Sequence, residues 1–345
     1  MKLDWKIGLG LAVSAFFLWW TFRGEDLGVI GSRLASANFG WLLAAGAIST
    51  AGGLIRALRW NLLLGPVGVE TSLYTRWTSL NIGFMVTNVY PARLGEIVRP
   101  YALSRMSPVS MSSALGTIVL ERVLDAIALL LLLIVALLSP AFPDDATVLG
   151  RSIEYAVSGA IIFSVVALVS LSLIIRWPAR VTSFVRWFAR ILPGHVQDGL
   201  TTQLESFLSG LDLLRRPVAM LQALLWSLAV WIWMAASFWV GFRAFDIDLG
   251  VTAAIFTQCA VSMFVAIPAA PGFIGTLQAG VAVSVQDVFG VAAEPTLSLA
   301  IGYHIAGFVP VTLLGLYYAS KLGIRLGSIE SEAEEALEDT QPPPH

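Results

Sequence analysis

The stretch 88-NVYPARLGEIVRP-100 places helix breakers and charges together, between segments that are apolar enough to lie inside a membrane. Pro and Gly interrupt a helix, and the interruption leaves backbone N–H and C=O groups that hydrocarbon cannot satisfy. Such a break persists at membrane depth only where protein or a water-filled cavity surrounds it. The stretch therefore predicts a discontinuous membrane helix beside a polar cavity.

The composition of the whole chain is that of an integral membrane protein. Hydrophobic residues make up 57% of the 345 residues and charged residues 13%, and the mean hydropathy is +0.78. These values lie outside the range of soluble domains. The only cysteine, Cys259, excludes an intrachain disulfide and a cysteine-built metal site. A net charge of −2 gives no indication of nucleic-acid binding, and no motif for catalysis, a cofactor or ATP coupling is present.

Apolar segments predict the membrane crossings. A helix rises about 1.5 Å per residue, so about 20 apolar residues cross a bilayer core of about 30 Å. Two regions, 78–105 and 251–289, are interrupted by Pro and Gly near the middle, and each half is short for a crossing. We expect them to form re-entrant helical hairpins that enter and leave on one side. Six uninterrupted segments predict six crossings: 5–22, 39–64, 113–138, 156–176, 218–243 and 296–319.

Loop charges predict the orientation in the cytoplasmic (inner) membrane. Lys and Arg cluster near both termini and in 176–216, whereas the loops 139–150, 244–250 and 290–295 carry acids and no base. Cytoplasmic loops are enriched in Lys and Arg. Both termini are therefore predicted to be cytoplasmic, and the N-terminal apolar segment is predicted to be an uncleaved first crossing.

The two broken regions resemble each other. In each of them a Pro precedes a Gly by four residues: Pro91 and Gly95 in the first, Pro271 and Gly275 in the second. Each break lies between the second and third crossings of its half. Because three crossings are an odd number, the second half must be inserted upside down relative to the first. Inverted repeats with matching broken helices indicate a transport site near the midplane.

These features predict an all-α polytopic membrane protein of two inverted repeats, 1–150 and 151–327, with six crossings and two re-entrant hairpins. Within 177–216, apolar residues recur at helical spacing, which favours amphipathic helices on the cytoplasmic surface. A cytoplasmic connector with a solvated basic face is the alternative. The acidic segment 328–345 has the composition of a disordered tail.

Charged residues are concentrated at the first break and on the next crossing. An unpaired charge at the centre of a membrane helix costs about 2.5–3.5 kcal/mol, so these residues must pair with one another or face water. They can form a buried ion-pair lattice, or their guanidinium groups can bind the phosphate of a ligand. Three Arg balance three acids in the predicted substrate-binding set: Arg93, Glu96, Arg99, Glu121, Arg122 and Asp125.

Other polar residues in the apolar segments carry weaker expectations. Arg56 and Arg59 lie near the cytoplasmic end of the second crossing, and we expect them to snorkel toward the head groups. His304 has no partner at metal-binding spacing and is predicted to pack or to line the cavity. The second break has no charge and carries Thr276 and Gln278. The residues predicted to shape the two breaks are Pro91, Gly95, Pro268, Pro271, Gly272 and Gly275.

Three motifs together resemble a known family. They are R-x-G-E-x-x-R within 91-PARLGEIVRPYAL-103, E-R-x-x-D within 118-IVLERVLDAIALL-130 and P-x-x-P-G-x-x-G within 268-PAAPGFIGTLQAG-280. The chain is similar to the flippase-like membrane domain of lysylphosphatidylglycerol synthases, a family that includes stand-alone proteins. Many members have Glu where this chain has Gln278, and we expect no soluble synthase domain after the last crossing.

The resemblance implies movement of a phospholipid or polyprenyl-linked lipid between leaflets, and not synthesis of an aminoacylated lipid. The sequence leaves two alternatives open. One is a membrane-embedded enzyme that modifies a lipid head group, with Glu121 or Asp125 as general base. The other is a scaffold that recruits a lipid-synthesis enzyme through 177–216.

Overall fold

The computed structural model describes residues 5–90, 94–143, 147–148, 151–152, 158, 162, 213, 216–267 and 269–324. Pro91, Arg93 and Pro268 lie outside the described residues. So do the tail 328–345 and most of the segments 156–176 and 177–216, and the predictions for them remain predictions.

The described chain is helical, apart from one pair of two-residue strands. The helices are α1 Trp5–Phe22, α2 Leu27–Ala35, α3 Phe39–Leu64, α4 Leu73–Val89, α5 Gly95–Ser104, α6 Met111–Leu137, α7 Pro217–Arg243, α8 Val251–Ala266, α9 Thr276–Val281 and α10 Ala293–Lys321. Short 3-10 helices span Gly65–Val67 and Pro271–Phe273, and a π-helix spans Ala282–Val288. Strands β1 Thr147–Val148 and β2 Arg151–Ser152 pair antiparallel, with Thr147 opposite Ser152.

Three helices in the described part of the chain are long and apolar enough to cross a membrane. They span Phe39–Val67, Pro217–Arg243 and Ala293–Lys321, and Gly8–Phe22 and Val251–Ala266 are shorter apolar helices. Helix α6 also has 27 residues but carries charged side chains near its middle. The all-helical membrane class is thus confirmed, whereas the count of six crossings stays a prediction.

Polar residues fix where the helices begin. The Ser72 hydroxyl accepts a hydrogen bond from the Thr75 N–H at 3.0 Å, so α4 begins at Leu73 rather than at residue 78. Ser110 caps α6 in the same way through the Ser113 N–H. A capping hydroxyl satisfies backbone donors that the first turn leaves unpaired. Hydropathy alone placed the start of α4 too late, because Thr75 and Arg76 make its first turn polar.

Helices α4 and α5 fold back on each other across the first break and form hairpin 1, residues 73–104. A Cβ atom on Gly83 would lie 2.8 Å from the Cβ of Arg99, and a Cβ on Gly95 would overlap the Gly83 carbonyl oxygen and the Thr87 hydroxyl. Glycine at both positions lets the two backbones approach. Gly95 therefore brings the helices together rather than supplying an unusual backbone angle.

Hairpin 2, residues 251–288, consists of α8, the second break, α9 and the π-helix. Gly280 packs against the backbone of Val261, where an added Cβ would lie 2.8 Å from the Cα. In the break, Gly272 has φ 70° and Gly275 has φ 91°. These left-handed angles favour glycine because a Cβ would clash with the backbone.

The start of hairpin 1 and the end of hairpin 2, which both lie away from the breaks, are at opposite ends of helix α10. Near the C-terminal end of α10, the Tyr318 hydroxyl accepts a hydrogen bond from the Trp77 indole N–H at 3.1 Å, close to the start of hairpin 1. Hairpin 2 ends at Val288, shortly before α10 begins at Ala293. Two breaks that enter from opposite ends can meet in the middle of the molecule.

Candidate functional site

A cavity of about 330 Å³ lies between hairpin 1 and hairpin 2. Helices from both halves of the chain contribute to its wall, as does the second break through Gly272 and Phe273. Charged side chains reach it from α3, α5 and α6, and they are Arg56, Glu96, Arg99 and Arg122. The cavity therefore has a cationic region on the side of hairpin 1.

The remaining polar wall is uncharged. Helix α3 contributes Ser49 and Thr50, and α8 contributes Gln258 and Ser262. No residue that hairpin 2 places in this wall, within the part of the chain described, is charged. Hydrogen-bonding groups without charge suit the less polar parts of an amphiphile, so the cavity is chemically asymmetric.

Behind the cationic region, Glu121 is completely buried among guanidinium groups. Arg99 binds it with two parallel hydrogen bonds of 2.9 and 3.0 Å. Arg59 lies 3.2 Å and Arg122 2.5 Å from the same oxygen, Oε1. The side chains of Glu121 and Arg59 have no solvent-exposed surface. Forked arginine–carboxylate pairs have fixed geometry, so this carboxylate holds Arg99 and Arg122 in place.

Asp125, one turn further along α6, anchors the same arginine layer. It accepts hydrogen bonds from the Arg59 guanidinium and, at 3.0 Å, from the Trp231 indole N–H. Its Oδ2 lies 3.5 Å from Arg122 and 4.0 Å from Arg56. Arg59 also donates to the Ser227 hydroxyl at 2.7 Å, which ties α3 and α6 to α7.

Two of the arginines also stack on tryptophan rings. The Arg99 guanidinium lies 3.8 Å from the centre of the Trp60 ring, and Arg56 lies 4.9 Å from that of Trp231. The Trp60 indole is itself fixed by a 2.9 Å hydrogen bond to Thr117. Cation–π contacts stabilise a guanidinium without neutralising its charge, so the positive charge of Arg56, which has only a 4.0 Å contact to Asp125, remains available.

The expectation that Arg56 and Arg59 snorkel is wrong. Arg59 is 0% exposed and Arg56 9%, and both turn inward because the carboxylates of α6 face α3. A buried ion pair with several hydrogen bonds competes with solvation by head groups. The spacing carried a signal: Arg56 and Arg59 share one face of α3, as Glu121 and Asp125 share one face of α6.

The predicted balance of charges is also wrong, because two more arginines belong to the cluster. Among the described residues, four guanidinium groups face three carboxylates, which leaves one positive charge in excess. Arg93 lies outside the described residues and is not included. Of the predicted set, Glu96, Arg99 and Arg122 line the cavity, whereas Glu121 and Asp125 lie behind it.

The second break is held by side chains from three elements. The Gln278 Oε1 accepts a hydrogen bond from the Gly275 N–H at 2.8 Å, and its Nε2 lies 2.9 Å from His304 Nδ1 in α10. On the other side, the Ser14 hydroxyl of α1 accepts from the Ala270 N–H at 2.8 Å and donates to the Ile274 carbonyl at 2.7 Å. Backbone groups freed by the break thus find partners in protein, as a break at membrane depth requires.

Sequence reasoning missed Ser14, since nothing in α1 marks one hydroxyl as a partner of a distant break.

His304 lies in the cavity wall, as predicted. Pro271 begins the 3-10 turn of the break, where its fixed φ suits the first helical position. Among the described residues, no group of three or more His, Cys, Asp or Glu side chains could hold a metal ion.

Comparison with known proteins places the chain in a family. A family described as "Lysylphosphatidylglycerol synthase TM region" matches residues 7–315. A UPF0104 membrane protein of Methanothermobacter thermautotrophicus is 24% identical over 285 residues, which cover 78% of this chain and 82% of that protein. A UPF0104 membrane protein of Methanocaldococcus jannaschii is 22% identical over 231 residues, covering 67% of this chain and 91% of that protein. The comparison with solved structures found no match. Because the family match extends over most of the length of the chain, the chain belongs to the family of the lysylphosphatidylglycerol synthase TM region.

Proposed function

We propose that this protein moves a lipid with a phosphate-bearing or polar head group between the leaflets of the cytoplasmic membrane. The head group passes through the cavity, and the acyl or isoprenoid tail stays in the surrounding lipid. The hairpins are re-entrant, belong to two inverted repeats and approach the cavity from opposite sides. Both termini are cytoplasmic.

The observation that carries the proposal is the position of the cationic cavity between the two hairpins. Arg56, Arg99 and Arg122 reach a cavity whose wall also includes the second break. Guanidinium groups bind phosphate oxygens through forked donors. A cavity bounded by two broken helices is the arrangement in which transporters expose one site to alternate sides.

Family membership supports a lipid as the cargo. The family is described by a membrane region of lysylphosphatidylglycerol synthases, whose name refers to a phospholipid. The relatives are named only as membrane proteins. The lipid class therefore rests on the family description together with the charge of the cavity.

The proposal involves no catalytic step. Glu121 accepts hydrogen bonds from guanidinium groups and is fully buried, so it lacks the access to a substrate that a general base needs. Asp125 is likewise bonded to Arg59 and Trp231 and lies behind the cavity wall. Both carboxylates position arginines in this proposal.

A leaflet-accessibility assay tests the function. Liposomes with the purified protein would carry fluorescent phospholipid or polyprenyl-phosphate analogues, and a membrane-impermeant reductant would bleach the outer leaflet. We expect the wild type to expose inner-leaflet lipid within minutes and Arg122→Gln to slow this about tenfold or more. Arg243→Gln is the matched control, since Arg243 is similarly exposed and contacts Asp248 outside the cavity. Wild-type bleaching equal to that of empty liposomes for every lipid would contradict the proposal.

A further inference from the structure

Arg56 differs from the other arginines of the cluster in having little to bind within the protein. It is 9% exposed and lines the cavity. Among the described residues, its nearest acidic atom is Asp125 Oδ2 at 4.0 Å, at the limit of an ion pair. It also lies against the face of Trp231, which accepts no conventional hydrogen bond. With respect to the described residues, the guanidinium N–H groups of this nearly buried side chain thus remain free to bind a ligand in the cavity.

Arg122 completes a pair of donors with Arg56. Its side chain is 41% exposed, the highest value in the cluster, although it also contacts Glu121. Both arginines approach the same oxygen, Asp125 Oδ2, at 4.0 and 3.5 Å. Their guanidinium groups therefore lie close together on the cavity side of one carboxylate. Two guanidinium groups at such a distance can bind separate oxygens of one tetrahedral anion.

The arginines that remain available in the wall decide which anion fits. The described part of the cavity wall has three arginines and one carboxylate, Glu96, but Arg99 is paired with Glu121, so Arg56 and Arg122 are the donors left for a ligand. A zwitterionic head group would bring its own cation into this field, and the arginines would repel it. A phosphate monoester carries about −1.5 to −2 charges at neutral pH, and its terminal oxygens are all open to donors. A phosphodiester carries one charge on two open oxygens.

We propose that the cavity contains a binding site for a phosphate monoester, with Arg56 as the principal donor and Arg122 as the second. This inference rests on the proposed function, because the ligand is the head group of the transported lipid. Inorganic phosphate has the same chemistry and is the alternative source of the anion. Arg99 and Arg59 stay bound to Glu121 and shape the site from behind.

Equilibrium binding to the purified full chain in nanodiscs of phosphatidylcholine tests the site. Three probes are compared. Phosphatidic acid is a lipid phosphate monoester, and phosphatidylglycerol with the same acyl chains is a phosphodiester. The third probe is inorganic phosphate. We expect phosphatidic acid to bind at least about tenfold more tightly than phosphatidylglycerol, and inorganic phosphate to compete only weakly. Equal affinities for the two lipids would overturn the inference. Inorganic phosphate binding as tightly as phosphatidic acid would overturn the lipid as its source.

Variants at Arg56 separate binding from folding. Arg56→Gln should weaken phosphatidic acid binding about tenfold. Arg56→Lys should weaken it less, because lysine keeps the positive charge but lacks the forked donors of a guanidinium group. Arg243→Gln should leave binding unchanged. Unchanged binding by Arg56→Gln would contradict the assignment. Thermal unfolding of each variant identifies any loss of fold. Binding without leaflet exchange would contradict the proposed transport and leave the site intact, whereas exchange without monoester preference would contradict the site alone.

Discussion

Arg56 and Arg59 lie on neighbouring turns of helix α3 and have different surroundings. Arg59 is fully buried and bonded to Glu121, Asp125 and Ser227, whereas Arg56 faces the cavity. The buried residues around Glu121 and Asp125 form the ion-pair lattice that the sequence left open as one interpretation. The other interpretation, a ligand site, is our proposal for Arg56 and Arg122 at the cavity wall.

At the residue scale, Arg59→Gln should destabilise the protein far more than Arg56→Gln. Removing Arg59 takes a positively charged partner away from the buried Glu121 and Asp125. Breaking a buried ion pair costs about 3–5 kcal/mol. Removing Arg56 breaks no hydrogen bond among the described residues. Thermal unfolding in detergent measures both, and each variant is the other's matched control. Equal falls in unfolding temperature would show that the two arginines do not form separate layers.

A second residue-scale prediction concerns Gln278. Gln278→Leu leaves the buried Gly275 N–H without its acceptor, at a cost of about 1–3 kcal/mol. Gln278→Glu keeps an acceptor at this position and should be less harmful than Leu. Unfolding temperatures measure the difference, with Gln222→Leu on the exposed face of α7 as the control. An unfolding temperature unaffected by Gln278→Leu would mean that other groups hold the break.

Hairpin 1 depends on two backbones in contact, which is a property of elements rather than of single residues. Gly83 and Gly95 lie where α4 and α5 touch, and neither has a left-handed backbone. The Pro-and-Gly pattern located this break correctly. It did not distinguish a glycine needed for close packing from one needed for its backbone angle, such as Gly275.

At the element scale, Gly95→Ala should separate α4 from α5 and disturb the cavity wall. Its Cβ would overlap the Gly83 carbonyl, which is backbone and cannot turn aside. We expect a lower unfolding temperature and loss of leaflet exchange. Gly31→Ala in α2 is the control, since no atom lies within 4 Å of its added Cβ, and alanine favours a helix by up to about 1 kcal/mol. Normal exchange by Gly95→Ala would argue against tight packing in hairpin 1.

The whole molecule brings two breaks from opposite ends to one cavity. This arrangement is what inverted repeats would produce, and it makes a prediction about membrane sides. The start of hairpin 1, near Glu70, should face the cytoplasm, whereas Asp248, just before hairpin 2, should face outward. Both side chains are exposed in the protein.

Cysteine labelling of intact cells tests this topology. In a Cys259→Ala background, Asp248→Cys should react with a membrane-impermeant maleimide, and Glu70→Cys should react only after the cells are opened. The background is suitable because the native thiol is buried and makes only a weak 3.5 Å contact to the Leu129 carbonyl. Labelling of both cysteines from outside would contradict the inverted arrangement.

The sequence by itself determined the membrane class, most helix positions, both breaks and the charged residues of hairpin 1 and α6. These features depend on local properties: the length of an apolar run, the geometry of Pro and Gly, and the cost of a charge in hydrocarbon. Only the tertiary structure decided which charges meet. Arg59 and Asp125 are 66 residues apart, and Ser14 and Ala270 are 256 apart. Such pairs form because buried polar groups must find partners wherever the packed helices supply them, and the spacing along one helix does not specify the neighbour.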